Sequence, residues 1–600
     1  MHLNNSLVHI KRLLLIASSV YSSASFAAPA TPDLSTFAER SGYTQTGRYD
    51  EVARLCHGYA KAYPHRVACQ IFGTTPEGRP MYVLVANNQG KLTPAAAHAA
   101  KLPVTLIQAG IHAGEIDGKD AGFWALRELL AEAQQAKNNR LNQQVLVFVP
   151  VFNVDGHERF SAWNRPNQRG PEQMGWRTTA QNYNLNRDYV KADTPEMQAM
   201  LKLVREWDPL LTVDLHVTDG AQFEHDISIQ VEPASGGAMP LQKPGKALRG
   251  AVIQELTEHG SLPQHFYMSF AQTDDPMSGF VDSMPAARFS NGYFQLRNRF
   301  GMLVETHSWR PYPHRVKITR NTIHAVTRQV AEQGKHWQAA AQQADLANLQ
   351  AYGKEFALSY KTTEASKDLA FRGYAYTRTT SEISGALMTR YDESKPQIWN
   401  VKLRDEIVPD KVIKAPYAYL VPAAYAQQVA EKLRQHDIQF DTLKSNLEQV
   451  ASETFRATQQ QFGTSSFEGH QSLKVQGEWR TEAMPVRAGS LLIPVNQAKA
   501  RLVLQLFEPA AADALLNWGW FNTAFERKEY MEAYVAEEEA RRQLADNPSL
   551  QAEFKQKLEQ DAEFAKSPFA RLDFFARRHA SWDQAYQRYP VLRLQAPLRN

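Results

Sequence analysis

Five short apolar segments alternate with helix-like stretches between about residues 43 and 330, and this alternation constrains the fold more than any other feature of the chain. The segments read MYVLVA, VTLIQAG, QVLVFVPV, LLTVDLHV and GMLVETH, and their Val, Leu and Ile content is typical of buried strands. Among the stretches between them is TPEMQAMLKLVREW, a predicted helix with Thr194 as its N-cap and Pro195 at its first position. The alternation predicts an α/β fold, in which a mostly parallel or mixed sheet is flanked by helices.

The chain changes character after residue 335. Its 600 residues are too many for one hydrophobic core. Beyond the alternating region, FRGYAYTR, IWNVKL, SLLIPV and ARLVLQLFEP read as short strands, and the last part is helical and charged. We predict a first domain over 28–335, a helix and linker over 336–365, a mixed β-rich domain over 366–525 and a helical tail over 526–600.

The N-terminal segment has the pattern of an export signal. Lys11 and Arg12 precede the apolar run LLLIASSVY, and small residues follow up to Ala27. The alternative, a membrane anchor, is disfavoured because the apolar run is too short to span a bilayer. We therefore predict a signal peptide over residues 1–27 and an exported protein, periplasmic or secreted, with no stable membrane anchor after cleavage.

Net charge and cysteine content narrow the classes of partner and cofactor. The formal charge of +4 is small for this length, so it gives no reason to expect nucleic acid or an anionic membrane as partner. Cys56 and Cys69 are the only cysteines, and in an exported chain such a pair favours a disulfide over two buried free thiols. Neither belongs to a CxxC motif, which excludes a cysteine metal site.

A histidine and a glutamate follow directly on the strand VTLIQA. His112 and Glu115 lie in GIHAGEID, at a strand's carboxyl end, where ligands gather in α/β sheets. His216 stands in the matching position of LLTVDLHV, although alone it would be read as a core histidine. Two histidines and a glutamate can hold a catalytic zinc ion with one position left open, so we predict one Zn²⁺ here. Asn184 or Asp214 is a candidate acceptor that orients a ligand imidazole.

Glu305 is the candidate base. It ends GMLVETH, a very apolar strand in which a carboxylate is costly unless it has a partner or a task. The alternative interpretation is a salt bridge to Arg310 or Arg299.

The polar segment WRTTAQNYNLNRDY supplies candidate substrate-binding groups. Arg177 is suited to hold an oxyanion, and Asn186 with Arg187 forms a fork suited to a carboxylate. The alternative interpretation is a polar surface loop.

These motifs, taken in order, resemble the zinc carboxypeptidase family, the carboxypeptidase A-like metallopeptidases. The resemblance runs from about Tyr63 to Trp309 and includes FGTTPEGRPMYVLVA, HAGE, FNVDGHERF, WR, NLNRDY and DLH. It implies that His112, Glu115 and His216 are zinc ligands and that Glu305 is the general base. It also implies that Arg177 binds the oxyanion and that Asn186 and Arg187 bind the substrate carboxylate.

The chain also departs from the family pattern. Gly114 stands where many members have an arginine, and Asn184 stands where the family often has an aspartate beside the first zinc histidine. Asp188 follows the carboxylate-binding pair, where it is placed to neutralise part of its charge. Tyr293 is our candidate for the family's mobile substrate-capping tyrosine, a further substrate-binding residue. The segment after residue 335 lies outside the match.

The resemblance implies an exported zinc metallocarboxypeptidase that hydrolyses the C-terminal bond of a peptide or peptide-like substrate with a free carboxylate. A first alternative is a zinc amidase or deacylase on the same scaffold, acting on cell-wall peptides or N-acyl amino acids. A second is a non-catalytic exported binding protein on the same fold, which the intact set of ligands and base disfavours. The oligomeric state and the preferred side chain are not indicated by any motif.

Overall fold

The computed structural model describes residues 32–598 apart from 133–135 and 137–138, so the predicted signal peptide over 1–27 lies outside the described residues. The helices are α1 (Phe37–Arg40), α2 (Tyr49–Ala62), α3 (Pro94–Ala99), α4 (Asp117–Ala131), α5 (Arg140–Gln143), α6 (Val154–Glu158), α7 (Pro195–Trp207), α8 (Met239–Glu258), α9 (Ser290–Leu296), α10 (Tyr312–Asn348), α11 (Ala423–Gln435), α12 (Ala500–Phe507), α13 (Ala533–Asp546), α14 (Pro548–Gln560), α15 (Ala562–Lys566) and α16 (Pro568–Ala576). The strands are β1 (Val67–Thr74), β2 (Pro80–Ala86), β3 (Val104–Ala109), β4 (Val145–Val149), β5 (Leu211–Thr218), β6 (Ile227–Glu232), β7 (Pro263–Gln264), β8 (Phe280–Val281), β9 (Phe300–His307), β10 (Glu355–Thr362), β11 (Lys367–Thr380), β12 (Leu387–Arg404), β13 (Ile407–Lys414), β14 (Ala418–Val421), β15 (Asp441–Thr442), β16 (Leu447–Phe462), β17 (Leu473–Val486), β18 (Leu491–Pro494) and β19 (Leu592–Leu594).

A mixed eight-stranded sheet organises the first half of the molecule, in the order β1-β2-β4-β3-β5-β9-β6-β7. The four central strands β4, β3, β5 and β9 are parallel, whereas β2 and β6 join them antiparallel. Every residue of β3, β4 and β5 is buried, because the sheet is covered on both faces. The predicted α/β fold with a mixed sheet flanked by helices is confirmed.

The helices pack closely on this sheet. Helix α7 begins as predicted, since the Thr194 hydroxyl accepts a hydrogen bond from the Met197 amide and Pro195 occupies the first turn. Helix α4 approaches the sheet through Gly118, where a Cβ would lie only 2.7 Å from the Cβ of Ala109. This close packing places the start of α4, and the loop before it, over the carboxyl edge of the sheet.

The second half is rich in β-structure, as predicted. A six-stranded sheet has the order β15-β18-β14-β19-β16-β17, and its strand β19 returns to it after the helical tail α13–α16. A second sheet, β11-β12-β8, crosses between the two halves, because Leu403 of β12 pairs with Phe280 of β8. The C-terminal half is therefore hydrogen bonded to the first half rather than merely joined to it.

One sequence assignment in this half is wrong. ARLVLQLFEP was expected to form a strand, but Ala500–Phe507 is helix α12, and all of its residues except Arg501 are buried. Arg501 and Gln505 are four positions apart, a helical spacing, and sequence reasoning missed this signal in a short run dominated by Leu and Val. IWNVKL, expected as a separate short strand, is part of the long strand β12.

Three further features bear on the sequence predictions. Cys56 of α2 and Cys69 of β1 form a disulfide, as predicted. Helix α10 runs across residue 335, where a boundary was expected, and the domain boundaries stay a prediction. Among the helices of the described residues, none has the length and apolar character needed to cross a membrane.

Candidate metal centre and substrate pocket

The three expected ligands meet at the carboxyl edge of the central sheet. His112 and Glu115 lie in the loop between β3 and α4, and His216 lies near the end of β5. His112 Nδ1 is 3.0 Å from Glu115 Oε1, and His216 Nδ1 is 3.0 Å from Glu115 Oε2. The ligand atoms of all three residues lie within 4.8 Å of one another, and each side chain is buried. Parallel strands end at one edge, which is why residues a hundred positions apart converge here.

The cluster fits a metal ion. His112 Nδ1 is buried and lacks a hydrogen-bond partner, although a Glu115 oxygen is close to it. A buried polar atom without a partner is costly, and a cation shared with Glu115 and His216 would satisfy it. Two imidazole nitrogens and a carboxylate are the donor set of catalytic zinc sites with an open position.

Outer partners fix which imidazole nitrogens face the centre. His112 Nε2 is hydrogen bonded to Asn184 Oδ1 at 3.0 Å, and His216 Nε2 lies 2.9 Å from Asp214 Oδ2. Asp214 is itself oriented by the Ser290 hydroxyl, which donates to Asp214 Oδ2 at 2.6 Å. Both residues proposed from sequence as acceptors therefore serve, one for each histidine.

The charge states of two of the three ligands suit metal binding. Burial lowers the pKa of His112 to about 4, so its imidazole is neutral. Burial alone would favour the protonated form of Glu115, but His112 and Arg165 outweigh it and hold the pKa of Glu115 well below its ordinary value. A neutral imidazole and a carboxylate are the forms that bind a metal ion. Burial opposes the charged form of His216, but the Asp214 and Glu305 carboxylates outweigh it and hold the pKa of His216 well above its ordinary value, so a metal ion would displace that proton.

Glu305 faces the same pocket. It lies near the end of β9, directly opposite His216 in the strand register. Its Oε2 is buried without a hydrogen-bond partner, and burial raises the pKa of Glu305 to about 8. The salt-bridge alternative is wrong, because Arg299 pairs with Asp208 at 2.6 Å and Arg310 donates to the Glu224 carbonyl. The Glu305 carboxyl group therefore has neither arginine as a partner and opens on the pocket, where its raised pKa lets it hold a proton near neutral pH.

The three polar residues expected to bind substrate also line the pocket. Arg177 is partly exposed, with Nη1 3.2 Å from Glu115 Oε1. The Arg187 guanidinium lies 4.6 Å from the centre of the Phe289 ring and donates to the Asn186 carbonyl at 2.8 Å.

Asp188 does not neutralise the pair, contrary to expectation. It is buried, and its carboxylate lies 2.6 Å from Lys191 Nζ and accepts hydrogen bonds from the amide and hydroxyl of Thr194. Asp188 therefore holds the start of α7 and leaves Arg187 its charge.

Tyr293 is not brought to the pocket. Its side chain is fully buried, and its hydroxyl lies 3.0 Å from His436 Nδ1. Helix α9 presents its first residue, Ser290, to the pocket, and Tyr293 lies one turn later against the core. The tyrosine that does line the pocket is Tyr267, whose hydroxyl is 3.0 Å from Thr218 Oγ1. It lies in an irregular loop, where no motif marks it.

Arg165 is a second residue that sequence reasoning missed. Its Nη1 donates to Glu115 Oε1 at 2.9 Å, and its Nη2 lies 3.1 Å from Asp219 Oδ1. A Cβ on Gly114 would lie 2.6 Å from Arg165 Cγ, so the glycine opens the space that Arg165 fills. The one sequence signal for this arrangement is Gly114, which stands where many members of the family have an arginine.

The three buried ligands and the unpaired Glu305 carboxyl group open on one pocket that also holds two arginines. This arrangement is that of a metal-dependent hydrolase. The family model for zinc carboxypeptidases matches residues 52–436, more than half of the chain. The chain belongs to the zinc carboxypeptidase family.

Solved structures with carboxypeptidase titles share low similarity with the chain. Carboxypeptidase A from Helicoverpa armigera is 16% identical with a TM-score of 0.34, over 50% of this chain and 74% of that chain. The metallo-carboxypeptidase from Burkholderia cenocepacia is 15% identical with a TM-score of 0.34, over 47% of this chain and 69% of that chain. At these low TM-scores the similarities carry no argument about this chain. No curated protein matches it.

Proposed function

We propose that this protein is an exported zinc carboxypeptidase that removes the C-terminal residue of a peptide. The observation that carries the proposal is the common pocket: the cluster of His112, Glu115 and His216, the free carboxylate of Glu305 and the guanidinium of Arg187 all open on it. Family membership supports the reaction class.

The protein's own residues divide the chemistry of hydrolysis. A zinc ion held by His112, Glu115 and His216 would supply Lewis-acid chemistry. Glu305 takes a proton from water as the water oxygen bonds to the scissile carbonyl carbon. Arg177 stabilises the negative charge that develops on the carbonyl oxygen. When the C–N bond breaks, Glu305 passes the proton to the leaving amine.

Arg187 supports exopeptidase action. Within the described residues, no carboxylate forms a hydrogen-bonded ion pair with its guanidinium, although burial makes an unpaired charge costly. A substrate carboxylate would pair with it, and the NH2 group of the Asn186 side chain, which lines the same pocket, is a donor suited to the second carboxylate oxygen. This pair therefore favours a free chain end over an internal peptide bond.

Mass spectrometry of a digested peptide library tests the proposal. We expect single residues to be lost from the C-terminus of free peptides, no loss from C-terminally amidated twins, and no activity after chelation. Cleavage of muropeptides or N-acyl amino acids with intact plain peptides would instead establish the amidase or deacylase alternative. A chain that binds these peptides without turnover would be the non-catalytic alternative.

Export is proposed on the basis of the N-terminal pattern alone. N-terminal sequencing of the protein recovered from expressing cells should give a chain that begins after Ala27. An uncleaved chain retained in the cytoplasm would overturn this part of the proposal.

A further inference from the structure

A loop of the C-terminal half lies on the substrate-binding segment of the first half. We call residues 463–472, between β16 and β17, the capping loop, and residues 183–193 the substrate loop. Two polar contacts join them: the Asn184 amide donates to Glu468 Oε2 at 2.9 Å, and His470 Nε2 lies 2.6 Å from Asp193 Oδ2. The contacts fall near the two ends of the substrate loop, so the capping loop holds it at both.

Asn184 connects the capping loop to the metal centre. Its backbone amide is held by Glu468, while its side-chain oxygen contacts His112 Nε2 at 3.0 Å and accepts from the Asn186 amide at 3.0 Å. The backbone position of Asn184 thus sets both the orientation of a candidate zinc ligand and the place of a carboxylate-binding residue. Small shifts in such supporting contacts are costly to activity.

The fit between the two loops is tight. Gly469 has a φ of +80°, and a Cβ there would lie 2.8 Å from the hydroxyl of Tyr183. Phe467 anchors the capping loop to the C-terminal half by stacking on Trp518, with ring centres 5.8 Å apart and planes at 12°. The loop is therefore fixed on one side and in direct contact with the substrate loop on the other.

The charge of Glu468 also acts on the pocket. Burial lowers the pKa of Arg187, and the neighbouring Arg177 lowers it further, whereas Glu468 opposes both effects. Glu468 thus stabilises the cationic form that a substrate carboxylate would meet.

We propose that Glu468 is a positioning residue of the active site, which acts through Asn184 on His112 and Asn186. The C-terminal half thereby supports the loop that carries pocket residues instead of serving only as a separate module. This inference rests on the proposed carboxypeptidase function for its kinetic consequences, but its structural part does not.

The first test is hydrogen exchange of the substrate loop in the full-length protein, measured with and without zinc. Glu468→Ala should raise amide exchange across residues 183–193, and Glu468→Gln should raise it less, because its amide oxygen still accepts from Asn184. The matched control is Glu478→Ala in β17, where the glutamate pairs with exposed Arg480 and does not touch the first half. Unchanged exchange in Glu468→Ala, or an equal rise in the control, would overturn the proposal.

The second test separates positioning from general destabilisation. In Glu468→Ala, KM for a free peptide should rise about tenfold, as expected for the loss of one hydrogen bond to a charged group, with a smaller fall in kcat. Glu468→Gln should recover most of this loss, and Glu478→Ala should match the wild type. Kinetics of Glu468→Ala identical to the wild type would count against the proposal. If the wild-type protein itself releases no C-terminal residue, the proposed function fails, and the exchange experiment alone decides the role of Glu468.

Discussion

Two buried carboxylates, one in each half of the molecule, have opposite surroundings. Glu508 beside the six-stranded sheet is 1% exposed, and it accepts hydrogen bonds from Arg593 Nε at 2.9 Å and from the Tyr419 hydroxyl. Glu305 is 8% exposed, and its Oε2 has no partner. A buried carboxylate with hydrogen-bond partners stabilises the fold. A buried carboxylate without partners lowers stability and is retained where chemistry requires it. The comparison teaches that a buried carboxylate points to the functional site when it both lacks partners and opens on the pocket.

The largest expected effect follows from changing the unsatisfied carboxylate. Glu305→Gln should lower kcat by about 10³–10⁴-fold, because the amide cannot accept a proton from water. Its zinc content should equal that of the wild type, since Glu305 is not one of the three ligands. Steady-state kinetics with metal analysis checks both, and full activity would remove Glu305 from the mechanism.

The satisfied carboxylate should respond in the opposite way. Glu508→Ala leaves the Arg593 guanidinium buried without its partner, which should destabilise the protein by about 3–5 kcal/mol. Thermal and urea unfolding measure this loss, and Glu305→Gln serves as the matched comparison with little loss of stability. Equal stability of the two variants would break the comparison.

The comparison extends to cations, because Arg593 pairs with Glu508 whereas Arg187 has no such ion pair within the described residues. Arg187→Ala should raise KM for peptides with a free C-terminus by about 10–100-fold, the range expected for a lost hydrogen-bonded charge contact. Its thermal stability should stay close to that of the wild type, because no carboxylate of the described residues loses a hydrogen-bonded ion pair. An unchanged KM would show that Arg187 does not bind the chain end.

Glu196 sharpens the comparison because its oxygens are buried without partners, yet it does not line the pocket. Burial raises the pKa of Glu196 to about 7. The folded protein therefore holds this proton more tightly than the unfolded chain, and stability falls as the pH rises from about 4.5 to about 7. Glu196→Gln should be more stable than the wild type at pH 8, by about 1–3 kcal/mol, and similar at pH 4.

The control for Glu196 is activity. Turnover by Glu196→Gln should match the wild type, because the residue has no place in the pocket. The stability gain of Glu196→Gln over the wild type should be larger at pH 8 than at pH 4. An equal gain at both pH values would show that a buried carboxylate without partners does not lower the stability of the protein.

Much of the site was predictable because it depends on strand ends. His112 follows a strongly apolar strand and His216 and Glu305 lie near the ends of two others, and parallel strands bring such ends to one edge. Tyr267 and Arg165 lie in irregular loops whose path depends on tertiary contacts, so no local pattern reveals them.

The errors in the fold have similar physical causes. Helix α12 is mistaken for a strand because its Leu and Val content outweighs the one helical signal in so short a run, the four-residue spacing of Arg501 and Gln505. The contact of Glu468 with Asn184 joins residues 284 positions apart and has no sequence signature. Long-range contacts of this kind are specified by packing of the whole chain, and only the structure shows them.

Metal analysis of purified protein tests the central claim most directly. We expect about one zinc ion per chain in the wild type and in Glu305→Gln, and almost none in the double variant His112→Ala/His216→Ala, because a single carboxylate cannot hold the ion alone. Undiminished zinc in the double variant, or no zinc in the wild type after exposure to the metal, would contradict the account.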